Sequence, residues 1–194
     1  MVLSDVDILR RIEDGSLLVE PPVQEQQVGS HRIDLRLGYE FQVFRQTAQP
    51  FIDVGDGTSA YAMADDLMES IVLDEGGIFY LQPGQLALGI TIERLELPDD
   101  LAGELDGRSS VGRLGLFLHI SAKTIDAGFR GRITLELLNG GPVPLGLHPG
   151  MRICSVGFQQ LSSPTSRPYY AKATAKYHDQ KLPLQSRIWK DEVA

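Results

Sequence analysis

Arg108, Ser109, Ser110, Arg113 and Glu136 are the side chains whose types and spacing could do chemistry together. All lie within residues 107–139, GRSSVGRLGLFLHISAKTIDAGFRGRITLELLN. A strand-like run at residues 101–105 meets Gly107 and two serines, the pattern of a strand turning into a short helix. Ser109 or Ser110 is expected to N-cap that turn, because a serine oxygen accepts the orphan amide hydrogens of a first helical turn. Amides exposed there, with the positive end of the helix dipole, favour an anion. Arg113 follows Ser109 by four residues and returns to its face if the turn is helical. Forked guanidinium donors beside serine hydroxyls suit the oxygens of a polyphosphate. Further on, Ile133, Leu135 and Leu137 alternate with Thr134, Glu136 and Leu138, so Glu136 leaves a strand on the face opposite Leu135. Between the two lies AGFRG, residues 127–131, whose glycines suit a tight, hairpin-like turn. Together these features describe a nucleotide site. The same spacings also describe a surface cap with solvated charges and the wet side of a sheet, which is the commoner case.

The scaffold that must hold these side chains fits one domain. A chain of 194 residues can bury a core without staples. Its 42% hydrophobic and 23% charged content is that of a soluble globular protein. A formal net charge of −8 argues against a nucleic-acid partner held by bulk electrostatics. An acidic protein can still hold a triphosphate by concentrating positive charge locally, as Arg108 and Arg113 do. Near the N-terminus Asp5, Asp7, Arg10 and Arg11 stand where a secretory leader needs an apolar core, so no signal peptide is expected. No apolar run reaches the length of a membrane span, and no membrane partner is expected. Cys154 is the only cysteine, which rules out a disulfide framework and points to the cytoplasm. Within PGMRICSVGF it reads as a small buried hydrophobe.

Taken in order, Ser4 and Asp7 resemble a capping box, Ile8, Leu9 and Ile12 form an apolar stripe, and Gly15 stops a short N-terminal helix. From residue 17 the signals are β. Residues 32–37 and 40–44 read as neighbouring strands about Gly38. Residues 53–69 lack strand character, with a short helix expected at 65–69. Strands resume at 71–73, 79–81, 86–92 and 101–105. YLQPGQLALGI (80–90) echoes GLHPGMRICSV (146–156), each placing Pro-Gly between apolar runs, which suits a type II turn. Many short strands argue for a sandwich, barrel or jelly roll. After residue 160 the composition turns to Ser, Pro, Lys and Tyr with little periodicity. Such a tail is either disordered or a lid that orders over a ligand.

GRSSVGRLGL followed by H-x-S-A-x-x-I-D-x-G-F-R-G-x-I-T-L-E-L-x-N resembles the core signature of the dCTP deaminases, within the trimeric dUTPase-like superfamily. SDVDILRRIEDGSL, RIDLRLG, VLDEGGIFYLQPG, LPDDLAG, PGMRI and RPYYAKATAKYHDQ resemble family segments in the same order, so the likeness covers nearly the whole chain. It implies a mainly β, distorted jelly-roll-like barrel with a short N-terminal helix and a C-terminal lid at 161–194, all one domain over 1–194. It implies a homotrimer with sites between subunits, dCTP as substrate, dUTP and ammonia as products, and dTTP as a feedback inhibitor.

Deaminating cytosine requires an activated water, a stabilised tetrahedral centre and a proton for departing ammonia. Zinc deaminases use a metal held by His and Cys with a P-C-x-x-C pair. One cysteine and the scattered His31, His119, His148 and His178 provide no zinc spacing, so no catalytic metal is expected. A carboxylate must then move the protons, and Glu136 is the candidate. By resemblance, Ser109 and Arg113 orient the water and stabilise charge, and the Ala122 carbonyl also holds the water. Asp126 is implied at the deoxyribose 3′-hydroxyl, and the backbone of Ile125 and Thr134 at the cytosine edge. Arg108, Ser110, Tyr169, Lys176 and Gln180 are implied on the triphosphate. Mg²⁺ would ride on the phosphates, mostly with water ligands. His119, at a motif position, is expected by resemblance to have a structural or regulatory part; His31 and His148 are assigned none.

Three rival functions compete with this reading. A bifunctional relative would also cleave dUTP to dUMP, but such proteins tend to carry Gly after the motif alanine, where Lys123 stands here. A plain dUTPase lacks the full Ser/Arg/Glu combination. A non-catalytic nucleotide-binding trimer would be expected to lose Ser109, Arg113 or Glu136, and all three are present.

Overall fold

Alternation of apolar and polar residues builds most of the strands, and glycines let the chain pass between sheets. The computed structural model describes residues 1–46, 51–55 and 67–190. One helix, α1 (Asp5–Glu13), opens the chain; Ser4 Oγ accepts from the Asp7 amide, and Gly15 at φ 75° follows its end. Strands β1 (Leu18–Glu20), β2 (Arg32–Arg36), β3 (Glu40–Phe44), β4 (Met68–Val72), β5 (Phe79–Leu81), β6 (Leu86–Glu96) and β7 (Leu101–Gly107) come next. A single helical turn, α2 (Ser109–Gly112), precedes β8 (Leu116–Phe117), β9 (Thr124–Ile125), β10 (Arg130–Asn139), β11 (Leu145–Leu147) and β12 (Arg152–Gln160).

These strands form two principal antiparallel sheets. One runs β4-β3-β6-β10-β8 with β1 also on β6, and the other runs β2-β12-β7-β9. Their inner faces share one apolar core, in which Leu135 and Leu137 of β10 meet residues such as Ile33, Val156 and Phe158 from the second sheet. The architecture is mainly β and jelly-roll-like. The sequence echo has a structural counterpart: β5 and β11 pair with each other, and each leads through Pro-Gly, with Gly84 and Gly150 at positive φ, into the long strands β6 and β12. Cys154 is fully buried in the core, and desolvation first, with Glu93 and Asp34 adding to it, pushes its thiol pKa far up. Among the described residues the one fully buried carboxylate is Glu93, which accepts from the Arg36 amide at 2.7 Å, Arg36 Nε at 2.6 Å and Gln27 Nε2 at 2.9 Å. Burial of a charge requires such full pairing.

Two expectations need correction here. β2 and β3 are neighbours in sequence only, since β2 pairs with β12 and β3 with β4 and β6. The chain changes sheets at Gly38, where a Cβ would come within 2.6 Å of the Arg132 guanidinium and 2.9 Å of the Ile90 carbonyl. Only glycine lets the backbone through. The helix expected at 65–69 is cut short: residues 65 and 66 lie outside the described residues, Leu67 is helical, and Met68 and Glu69 are strand. Cross-strand pairing with Phe44 and Val43 of β3 outweighs their local preference.

Candidate active site

Glu136 leaves β10 on the side opposite the core, as its alternation predicts: Ile133, Leu135 and Leu137 are buried and Thr134 and Glu136 are half-buried. The segment after β8 runs alongside it. The Glu136 amide donates to the Leu118 carbonyl at 3.2 Å, and its carboxylate Oε2 accepts from the Ile120 amide at 2.9 Å. The carboxylate is thus anchored through one oxygen by a backbone donor.

It faces a cavity of about 320 Å³. Ala122, Ile125, Asp126, Thr134 and Glu136 line one side, and Tyr169, Tyr177 and Gln180 from the tail line the other. A register shift in β10 between Arg132 and Thr134 sets Thr134 at this wall; bulges of this kind re-aim a side chain. Thr134 Oγ1 and Gln180 Oε1 are buried without a hydrogen-bond partner in the protein. An unpaired buried polar atom costs about 1–3 kcal/mol, which a ligand offering hydrogen bonds recovers.

The tail reaches this wall through specific contacts. The Tyr169 amide donates to the Ala127 carbonyl at 2.9 Å, and the Asp179 amide to the Arg130 carbonyl at 2.8 Å. Gln180 donates through Nε2 to the Arg132 carbonyl at 2.8 Å, while the Arg132 amide donates to the Gln180 carbonyl at 3.0 Å. Arg94 pairs with Asp179 at 2.8 Å and holds its carboxyl below the usual carboxylate range. The 127–131 turn is tight, as its glycines predict, yet its flanking strands β9 and β10 pair in different sheets. It therefore crosses between layers instead of closing a hairpin. Gly128, at φ 78°, is where the tail presses closest: a Cβ there would meet Pro168 at 2.6 Å.

Of the polyphosphate candidates, Tyr169 and Gln180 line the cavity and the others do not. Arg108 Nε sits 3.1 Å from Asp34, and its Nη1 donates to the Arg152 carbonyl at 2.9 Å. Ser109, Ser110 and Arg113 are exposed on α2, and neither they nor Arg108 and Lys176 line the cavity. The expected serine cap is overturned. β7 continues through Gly107 and keeps Arg108 extended (φ −91°, ψ 130°), so Arg108 is the N-cap, without a side-chain cap bond, and both serines lie inside the turn. Around it Leu114, Phe117 and Ile120 are more than half exposed, an apolar rim beside a cationic turn.

Residues not anticipated from the sequence also line the cavity: Lys123, Phe129, Tyr177 and Leu184. Lys123 pairs with Glu104 at 2.6 Å and draws that carboxyl's pKa down. Tyr177 was signalled only by its place beside Lys176 in an aromatic-rich tail; its amide donates to the Tyr169 hydroxyl at 3.1 Å. His119 Nε2 lies 3.6 Å from Asp106. Among the described residues, no group of three or more His, Cys, Asp or Glu side chains is placed to hold a metal ion.

A dCTP deaminase-like domain matches residues 2–161. The dCTP deaminase of Rhodospirillum rubrum is 48% identical over 195 residues, covering 100% of both chains. A dUMP-forming dCTP deaminase of Dictyoglomus thermophilum is 47% identical over 189 residues, covering 97% of this chain and 95% of the relative. The crystal structure of the 2′-deoxycytidine 5′-triphosphate deaminase of Agrobacterium tumefaciens superposes with a TM-score of 0.61 at 25% identity, over 82% of this chain and 48% of that one. The chain belongs to the dCTP deaminase-like family.

Proposed function

We propose that this protein hydrolyses dCTP to dUTP and ammonia, a step in pyrimidine deoxyribonucleotide synthesis in the cytoplasm. The observation that carries this reading is the Glu136 carboxylate, anchored by the Ile120 amide at a cavity whose walls present the unpaired Thr134 and Gln180 oxygens. Glu136 takes a proton from water as the oxygen attacks C4 of the cytosine. It passes that proton to the ring nitrogen, giving a tetrahedral centre. The second water proton leaves with the amino group, so C4 gains a carbonyl oxygen and ammonia departs. One carboxylate oxygen held by the Ile120 amide leaves the other to carry the proton.

Ile125 and Thr134 are assigned to the cytosine edge, Asp126 to the sugar, and Tyr169, Lys176 and Gln180 to the triphosphate. Arg108, Ser109, Ser110 and Arg113 are absent from this cavity, and we assign them to the cavity of a neighbouring subunit in a homotrimer, with Ser109, Arg113 and the Ala122 carbonyl around the reacting water. The exposed Leu114, Phe117 and Ile120 beside α2 support burial of that face. Mg²⁺ enters with the nucleotide. The donors near the phosphates are cationic and hydroxylic, which suits a metal held by phosphate and water rather than by a protein cage. dTTP, sharing sugar and triphosphate with the substrate, is assigned as a feedback inhibitor of the same site.

The test is incubation with dCTP and Mg²⁺, with products separated by charge, with and without a zinc-selective chelator. dUTP is expected, at an unchanged rate under chelation. Accumulation of dUMP would assign the bifunctional reaction; inactivation by the chelator with rescue by Zn²⁺ would overturn the metal-free mechanism.

Residues 161–194 are assigned as a lid over the nucleotide. From residue 161 to 190 the tail forms no strand or α-helix, and it is held by backbone and side-chain hydrogen bonds with two partly exposed ion pairs, Arg94–Asp179 and Lys172–Asp126, each adding little stability. Added dCTP is expected to slow limited proteolysis within the tail. Equal cleavage with and without nucleotide would exclude a closing lid.

A further inference from the structure

The tail delivers one charged group that the reaction above does not use. Lys172 Nζ lies 2.7 Å from Asp126 Oδ2 and 5.8 Å from the centre of the Tyr169 ring. Asp126 and Tyr169 line the cavity; Lys172 stands behind them. Its position follows from the docked tail. The 3₁₀ turn Tyr169–Ala171 is tied to the Ala127 carbonyl through the Tyr169 amide, and the Lys172 amide closes that turn on the Tyr169 carbonyl at 3.2 Å. The close approach at Gly128 holds the turn against the 126–129 bend. These contacts fix the backbone from which the Lys172 side chain reaches the Asp126 carboxylate.

Such a pair adds little stability by itself, since the Lys172 and Asp126 side chains are 37% and 47% exposed. Its effect is directional. No group among the described residues donates to Asp126 Oδ1, so pinning Oδ2 leaves Oδ1 as an acceptor of fixed orientation. A neutral hydroxyl donor on a ligand is its natural partner.

We propose that Lys172 is a positioning residue for sugar recognition, holding Asp126 so that its unshared oxygen accepts the 3′-hydroxyl of the bound deoxynucleotide. This rests on the assignment of the cavity to dCTP with Asp126 at the sugar. It makes 3′-hydroxyl discrimination a property of the docked tail as well as of the motif aspartate.

Steady-state kinetics of wild type, Lys172→Met and Lys172→Arg with dCTP and with 2′,3′-dideoxy-CTP test this. The methionine variant is expected to raise KM for dCTP about tenfold, the scale of one hydrogen bond to a charged group, with kcat little changed. Its kinetics with the dideoxy nucleotide are expected to match wild type, and Lys172→Arg to restore most of the loss. Equal weakening of both nucleotides would overturn the proposal, because tail docking or a direct phosphate contact affects them alike. An unchanged KM for dCTP, or a wild type that treats both nucleotides alike, would also overturn it. Absence of turnover by wild type would instead strike at the deaminase assignment; equilibrium binding of the two nucleotides to wild type and Lys172→Met then decides the Lys172 contact.

Discussion

Glu136→Gln is expected to bind dCTP and leave it intact. Glutamine matches glutamate in size, and its side-chain oxygen can still accept from the Ile120 amide that anchors Oε2 at 2.9 Å. It cannot carry a proton from water to the ring nitrogen and the leaving amine. Loss of a positioned general acid–base group costs about 10²–10⁴-fold. Because the same carboxylate serves every proton transfer here, the loss in kcat should lie at the upper end of that range. Equilibrium binding of dCTP should stay within a few-fold of wild type, since Glu136 is on the wall of the cavity and not at the cationic turn. Initial rates of dUTP formation, with binding measured in parallel, check both halves. Turnover within tenfold of wild type would remove Glu136 from the chemistry.

The second large effect is a recovery. Arg113→Ala and Glu136→Gln are each expected to be nearly inactive, from loss of charge stabilisation and of the proton carrier respectively. Within one chain Arg113 is exposed at the end of α2 and does not line the cavity that Glu136 faces. If a site takes Arg113 from one subunit and Glu136 from the next, refolding equal amounts of the two variants together should make about a quarter of the sites whole, for random mixing around a ring of heterologous interfaces. Activity on that order, with mixed trimers verified by mass, supports the shared site. If mixed trimers form and stay inactive, both residues act within one chain.

How the sequence relates to the structure differs from element to element. β3 and β5 occupy the residues their alternation predicts, and Glu136 takes the predicted face of β10, because side-chain direction along a strand depends only on a local period of two. Gly15 ends α1 for an equally local reason. The serine cap failed because β7 runs further than its apolar run, and pairing with β12 keeps the chain extended through Gly107. The segment from residue 68 is strand because β3 lies beside it.

The site divides along the same line. Residue type and spacing by themselves determined which side chains could carry protons and hold phosphate, and the face on which Glu136 stands. Only the tertiary structure decided that Asp126, Thr134 and Glu136 share a cavity with Tyr169, Tyr177 and Gln180, that Lys172 meets Asp126, and that Arg108 and Arg113 lie away from Glu136 within the chain. Chemical capacity and strand facing are properties of a few consecutive residues. Which groups meet is set by sheet pairing and tail docking between segments far apart in the chain, and no local pattern encodes that.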